Sequence, residues 1–290
     1  MFDGVHRGHR ALLHSLISKA SSLGTESVVM TLDPHPRIVL SEGDDPVRLL
    51  TSLDEKIQLM EEQGIDKLVV IPFSKGLSRL SSCDFIKKYL VDIIKVEHLI
   101  LGYDHHFGYR GYSDAVSIKE CALKYGFGVE RMEALKDGNE IISSTTIREL
   151  ISLGSLDRAI GLLGYPYILK GKVVEGKKIG RLLGYPTANI ETGNPYKLIP
   201  ADGVYAVEVK LDKLTHKAML YIGPRPTIEK EAGKRTIEVN IFDFEDDIYG
   251  KNITVRFLHR LRGDMKFSTR EQLLEQIDKD KAESIRLLSH

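Results

Sequence analysis

Cysteine is nearly absent from this sequence. Only Cys83 and Cys121 occur in 290 residues, far apart and without metal-type spacing. A cysteine-ligated metal site is thereby excluded, and two reduced core thiols are expected, in keeping with the cytoplasm. Net charge is also absent, because 41 basic residues balance 41 acidic ones. No whole-protein field therefore points to a nucleic-acid or membrane partner. No apolar run approaches the roughly 18 residues of a membrane span. The polar, histidine-rich N-terminus does not read as a signal peptide. Internal repeats, low-complexity segments and the phosphate loop GxxxxGK[ST] are all missing.

The remaining composition, 42% apolar and 28% charged, is that of a globular protein long enough for two domains. The two halves are built differently. Up to about residue 153, helical patterns (11–23, 53–63, 82–93, 117–125) alternate with short apolar strands (27–32, 67–72, 98–102, 129–132). Strands separated by helices of this length predict parallel pairing in a doubly wound α/β sheet, with ligands beyond the C-terminal strand ends. The stretches LDPHPR and GYDHHFGYRG fall at such ends. From about residue 165, strand-like runs dominate: 168–174, 203–211, 217–222, 236–242 and 253–258. Apolar residues at every second position, as in Tyr205, Val207, Val209 and Leu211, predict half-buried antiparallel strands in a small barrel. A helix over 269–289 closes the chain. Two short helical patterns, 145–152 and 155–163, lie between the halves, punctuated by Gly154 and Gly164. The expected domains are therefore 1–153, a linker helix 154–164, and 165–290.

Four stretches carry chemistry. In FDGVHRGH, His6 and His9 stand three apart at a helix start, a spacing open to metal ligation or to a plain surface turn. Gly4 and Gly8 shift the balance, because glycines before a helix N-terminus let backbone N–H groups reach an anion. Imidazoles there donate to phosphate oxygens, more strongly when protonated. In ISSTTIR, the hydroxyls of Ser144 and Thr145 cap a helix, and Arg148 stands one turn in, able to reach a phosphate bidentately. Taken alone this is an ordinary N-cap. In GKKIGRLLGYPTANI, Gly176, Gly180 and Arg181 suit a loop over phosphates. Thr187 and Asn189 offer hard oxygens suited to Mg²⁺ bound with ATP. A glycine-rich hairpin with a proline turn explains that stretch equally well. In RTIEVNIFDF, Glu238 faces away from Ile237 and Val239, toward solvent or a barrel mouth.

Together, FDGVHRGH, TLDPHPR, GYDHHFGYRG and ISSTTIR resemble the nucleotidylyltransferase module of the bacterial bifunctional riboflavin kinase/FAD synthetase family. LGYPTANI, DGVYAVEV, IGPRPTIE and IEVNIFDFEDDIYG resemble its riboflavin kinase module. The resemblance implies a doubly wound nucleotidylyltransferase domain followed by an antiparallel barrel. It implies phosphorylation of riboflavin to FMN with release of ADP, then adenylylation of FMN to FAD with release of pyrophosphate. Both steps take ATP with Mg²⁺ and require no tightly bound redox cofactor, nucleic acid or membrane. Carried over by motif, His6 and His9 act on phosphates at the reacting centre, and Ser144 and Arg148 hold the departing pyrophosphate. Asp104, Phe107 and Arg262 contact flavin, and Glu238 is the general base of the kinase step. This chain has Arg262-Gly263-Asp264 where members often show an arginine and two acids. Members also carry a strand before the FDGVH loop, so the sequence is expected to be N-terminally incomplete and weak in adenylylation. Rival readings are another nucleotidylyltransferase, a flavin carrier that has lost catalysis, and a class I aminoacyl-tRNA synthetase.

Overall fold

The computed structural model describes residues 1–41, 47–103, 115–176, 180, 184–224 and 235–289. Packing divides the chain into two compact units: Met1–Val47 with Lys56–Ser143, and Arg48–Glu55 with Ser144–His290. The packing division thus falls earlier in the chain than the expected domain boundary, and the helices that follow Ser143 belong with the second unit.

In the first unit, α1 (Arg7–Leu23) leads into β1 (Val28–Asp33) and α2 (Pro36–Leu40). Helix α3 (Leu53–Glu61) precedes β2 (Lys67–Pro72), which pairs parallel with β1. Helix α4 (Ser82–Phe85) continues as a wider π-type helix over Ile86–Ile94, and β3 (His98–Leu101) follows. Helix α5 (Ala115–Tyr125) then returns the chain to β4 (Gly128–Arg131), parallel to β3. The hairpin of β5 (Lys136–Asp137) and β6 (Glu140–Ile141) completes the unit. The expected parallel pairing is present, in two pairs: among the described residues no strand joins β1–β2 to β3–β4. Ile86, Leu90, Leu101, Ile118 and Phe127 form the core beneath β3 and β4.

The reading of Cys83 and Cys121 as separate reduced thiols is corrected. They form a disulfide, with Cα atoms 6.1 Å apart. Packing of α4 against α5 brings together residues 38 apart, which sequence spacing does not reveal. Cysteine usage therefore gives no support to a reducing compartment.

In the second unit, α6 (Ser144–Leu153) and α7 (Leu156–Leu163) precede a closed six-stranded barrel. Its strands are β7 (Tyr167–Val174), β8 (Ala188–Glu191), β9 (Gly203–Leu211), β10 (Leu214–Pro224), β11 (Arg235–Ile241) and β12 (Asn252–Arg262), in the order β10-β11-β8-β7-β12-β9. All barrel pairs are antiparallel, so side chains alternate between interior and exterior, and Tyr205, Val207, Val209 and Phe257 are fully buried. Helix α8 (Arg270–Leu287) packs on the barrel. Strand β8 was not expected: the proline of PTAN reads as a turn, and only pairing with β7 and β11 makes the following residues a strand. No described helix is long and apolar enough to cross a membrane.

The segment Arg48–Glu55 is fastened into the second unit by a buried carboxylate. Glu55 accepts from the Ser52 N–H at 2.9 Å, from the Lys170 N–H at 3.0 Å and from Lys197 Nζ at 2.6 Å. Ser52 Oγ in turn accepts from the Glu55 N–H, a capping box that starts α3.

Candidate active sites

In the first unit, His6 caps α1, and its Nδ1 accepts the His9 N–H at 3.3 Å. The two rings stack 3.7 Å apart. A side chain at Gly8 would press on the His6 ring at 3.2 Å, so this glycine clears space for the imidazole. Gly4 has φ 83°, and the non-glycine residues Phe2 and Val5 also take positive φ, 55° and 34°. Local strain of this kind is held by surrounding structure and clusters at functional sites. His6 is buried, and His9 Nδ1 is enclosed without a hydrogen-bond partner. Burial, then the charge of His6, with the amino terminus and Lys56 adding to it, holds His9 well below the usual histidine range. His9 is therefore a neutral imidazole near pH 7, not the imidazolium that would bind phosphate most strongly. Among the described residues no cluster of His, Cys, Asp and Glu is placed to hold a metal ion.

Ser144 and Thr145 are the first two residues of α6, so Ser143 rather than either of them precedes the helix, and Arg148 Nη1 donates to Thr145 Oγ1 at 3.4 Å. By packing they belong to the second unit, whereas His6 and His9 belong to the first. Asp104, Phe107 and Arg181 lie outside the described residues.

The barrel assembles its candidate residues directly. Val174, Asn189, Glu238, Tyr221, Val204 and Arg262 are successive register partners around β7, β8, β11, β10, β9 and β12. Directly opposed residues share a face of the sheet, so Asn189 and Glu238 are neighbours by construction. Thr187 Oγ1 donates to Glu238 Oε2 at 3.2 Å. Thr236 Oγ1 lies 3.1 Å from Asn189 Oδ1 and 3.3 Å from Glu238 Oε1. Thr236 escaped the sequence reading, although strand alternation puts it on the face of Glu238 and Asn240. Asn240 Nδ2 donates to the Pro186 carbonyl at 2.7 Å and fixes the turn before Thr187. A side chain at Gly176 would overlap the Asn189 amide, and one at Gly180 would crowd the Tyr185 carbonyl and the Thr187 hydroxyl. Both glycines therefore lie against the two candidate metal-binding side chains. Beside them a cavity of about 430 Å³ is lined by Tyr185, Pro186, Asn240, Phe242 and Lys281, among others.

Arg262 stands in the same row, but its guanidinium turns to α8. It binds the Asp280 carboxylate through Nε at 3.0 Å and Nη2 at 2.7 Å. Tyr221 donates to Asp264 Oδ1 at 3.1 Å, and its phenol is raised above the usual range by burial first and then by that carboxylate. The Tyr221–Asp264 contact is invisible in sequence because 43 residues separate its ends.

An α/β unit with a histidine pair at a helix cap is thus followed by a closed barrel in which Asn189 and Glu238 are register partners. The FAD synthetase family model matches residues 1–146, and the riboflavin kinase model matches 163–288. The bifunctional riboflavin kinase/FMN adenylyltransferase of Bacillus subtilis strain 168 is 37% identical over 290 residues, covering all of this chain and 91% of the relative. That of Listeria monocytogenes EGD-e is 38% identical over 283 residues, covering 98% and 89%. A crystal structure from Streptococcus pneumoniae, described as a macrolide-efflux protein, superposes with a TM-score of 0.88 at 32% identity, covering 97% and 90%. This chain belongs to the bifunctional riboflavin kinase/FMN adenylyltransferase family.

Proposed function

We propose that the chain phosphorylates riboflavin to FMN in its barrel and adenylylates FMN to FAD in its N-terminal module, with residues 1–153, 154–164 and 165–290 as adenylyltransferase, linker and kinase. The observation that carries the kinase reading is the half-buried Glu238 carboxylate beside Asn189, oriented by two threonine hydroxyls. In this reading Glu238 takes the proton from the ribityl 5′-hydroxyl as that oxygen attacks the γ-phosphate of ATP. The bond from the γ-phosphorus to the bridging oxygen breaks, and ADP leaves. Thr187 and Asn189 present oxygens of the kind Mg²⁺ takes, alongside the Glu238 carboxylate, so the donor set fits a magnesium ion carried in with ATP. That ion neutralises phosphate charge. Gly176 and Gly180 admit the triphosphate, and Arg181 adds charge.

For adenylylation, a phosphate oxygen of FMN attacks the α-phosphorus of ATP and pyrophosphate departs. This chemistry needs positioning and charge neutralisation more than a proton shuttle. His6 and His9 act on the reacting phosphate, His9 as a neutral hydrogen-bonding group, supported by its enclosed, unpartnered Nδ1. Ser144, Thr145 and Arg148 take the leaving pyrophosphate, while Asp104 and Phe107 contact flavin. Arg262 serves the flavin side from the end of β12, where Asp280 of α8 holds its guanidinium. Use of ATP supports a cytoplasmic site of action.

The test is to incubate the protein with riboflavin, ATP and Mg²⁺ and separate the flavins over time. FMN followed by FAD is expected. Absence of FMN overturns the reading of Thr187, Asn189 and Glu238. FMN without FAD overturns the adenylyltransferase reading for this chain.

A further inference from the structure

A buried lysine in the first unit has no place in the roles above. Lys56, on α3, is 6% exposed, and its Nζ lies 3.2 Å from Thr31 Oγ1 near the C-terminal end of β1. Thr31 is itself 1% exposed. An ammonium has three donors, and burying it is costly unless they are met. Among the described residues Thr31 Oγ1 is the hydrogen-bond partner of Lys56. The carboxylates of Asp3 and Asp33 also favour its charge against the opposing, larger effect of burial. Asp3 belongs to the FDGVH loop, and Asp33 is the second residue of LDPHPR. Lys56 also acts electrostatically on His9. It is therefore a buried ammonium beneath the loop that carries His6 and His9, with hydrogen-bonding capacity left over.

The charge balance of the site gives that capacity a use. Phosphates brought to this loop must be neutralised, and a neutral His9 supplies a hydrogen bond but no charge. His9 Nδ1 is likewise enclosed and unpartnered, so Lys56 on α3 and His9 on α1, which act on each other electrostatically, are both incompletely hydrogen-bonded. An anionic oxygen would satisfy both. A lysine ammonium, a compact charge with rotatable donors, suits a phosphate whose oxygens move during transfer.

We infer that Lys56 is a further catalytic residue of the adenylylation step, its ammonium donating to an oxygen of the reacting phosphates in place of an imidazolium charge. This rests on the adenylyltransferase reading above. In the step, an FMN phosphate oxygen bonds to the α-phosphorus, the bond to the β-phosphate oxygen breaks, and pyrophosphate leaves with the electron pair. Lys56 neutralises charge throughout and gives up no proton.

The experiment compares wild type, Lys56→Met and Lys56→Ala for FAD formation from supplied FMN and ATP, and for FMN formation from riboflavin. Methionine keeps the length of the side chain and removes the charge. Expected is a fall in FAD formation on the order of 10²-fold, the scale of losing one transition-state donor. FMN formation should be unchanged, and added ethylammonium should restore part of the Lys56→Ala loss, which a purely structural lysine would not allow. FAD formation by Lys56→Met within about threefold of wild type, well short of that donor scale, overturns the inference. So does a Lys56→Ala loss that the amine leaves untouched. A wild-type protein that makes no FAD from FMN overturns the underlying adenylyltransferase reading instead.

Discussion

Thr236 and Glu238 lie two residues apart on one strand, and the Thr236 hydroxyl stands between the Glu238 carboxylate and the Asn189 amide oxygen, 3.3 Å from one and 3.1 Å from the other. One small side chain thus couples the proposed general base to a proposed magnesium ligand. The arrangement depends on register, because Asn189 is the direct partner of Glu238 across β8 and β11.

Glu238→Gln keeps the shape and the contact with Thr187 but cannot accept the ribityl proton. FMN formation should fall to background, while FAD formation from supplied FMN stays near wild type. The two rates are read separately by chromatography. An equal fall in both would show that the barrel is not the seat of the kinase step alone.

Gly176→Ala places a methyl group where the Asn189 amide now lies. Asn189 must move, and displacement of a positioning group by about 1 Å costs on the order of 10²-fold in rate. FMN formation should fall on that scale, with FAD formation from FMN preserved. Unchanged FMN kinetics would remove Asn189 from the ATP site.

His9→Ala should lower adenylylation by about 10²-fold while sparing FMN formation. His9 also carries a stability signature. Its folded pKa is depressed, so below about pH 6.5 the unfolded chain binds a proton that the folded chain resists. Stability therefore falls as pH drops through 6.5 toward the lower folded value, and is fully present above 6.5. Melting followed between about pH 8 and pH 5 should show a smaller acid loss in His9→Asn than in wild type.

Lys197→Met tests the anchor of the Arg48–Glu55 segment. Lys197 and Glu55 side chains are 2% and 1% exposed, and Lys197 also donates to the Leu50 carbonyl at 2.6 Å and lies 4.5 Å from the Tyr167 ring. Removing the lysine leaves a buried carboxylate without its counter-ion, held by the Ser52 and Lys170 N–H groups, at a cost of about 3 kcal/mol. Denaturant unfolding of the second unit should show that loss, and Lys197→Met combined with Glu55→Leu should recover much of it. Similar stability in Lys197→Met alone would show that Glu55 is compensated elsewhere.

The linear sequence already determined the alternation of helix and strand and five of the six barrel strands, and it singled out the motif residues His6, His9, Thr187, Asn189 and Glu238. Periodicity and turn chemistry are local properties, and the motifs are contiguous. The bounds 67–72 and 203–211 are those of β2 and β9. Tertiary structure alone decided what depends on contacts between distant segments. Strand β8 exists because β7 and β11 flank it, and the Cys83–Cys121 disulfide exists because α4 meets α5. Arg262 is claimed by Asp280 of α8, and Tyr221 by Asp264. Nothing in the helical pattern over 53–63 singles out Lys56. Only the fold buries it beside Thr31, with the carboxylates of Asp3 and Asp33 favouring its charge against the cost of burial. Desolvation and register are properties of the assembled fold, and no window of sequence contains both partners.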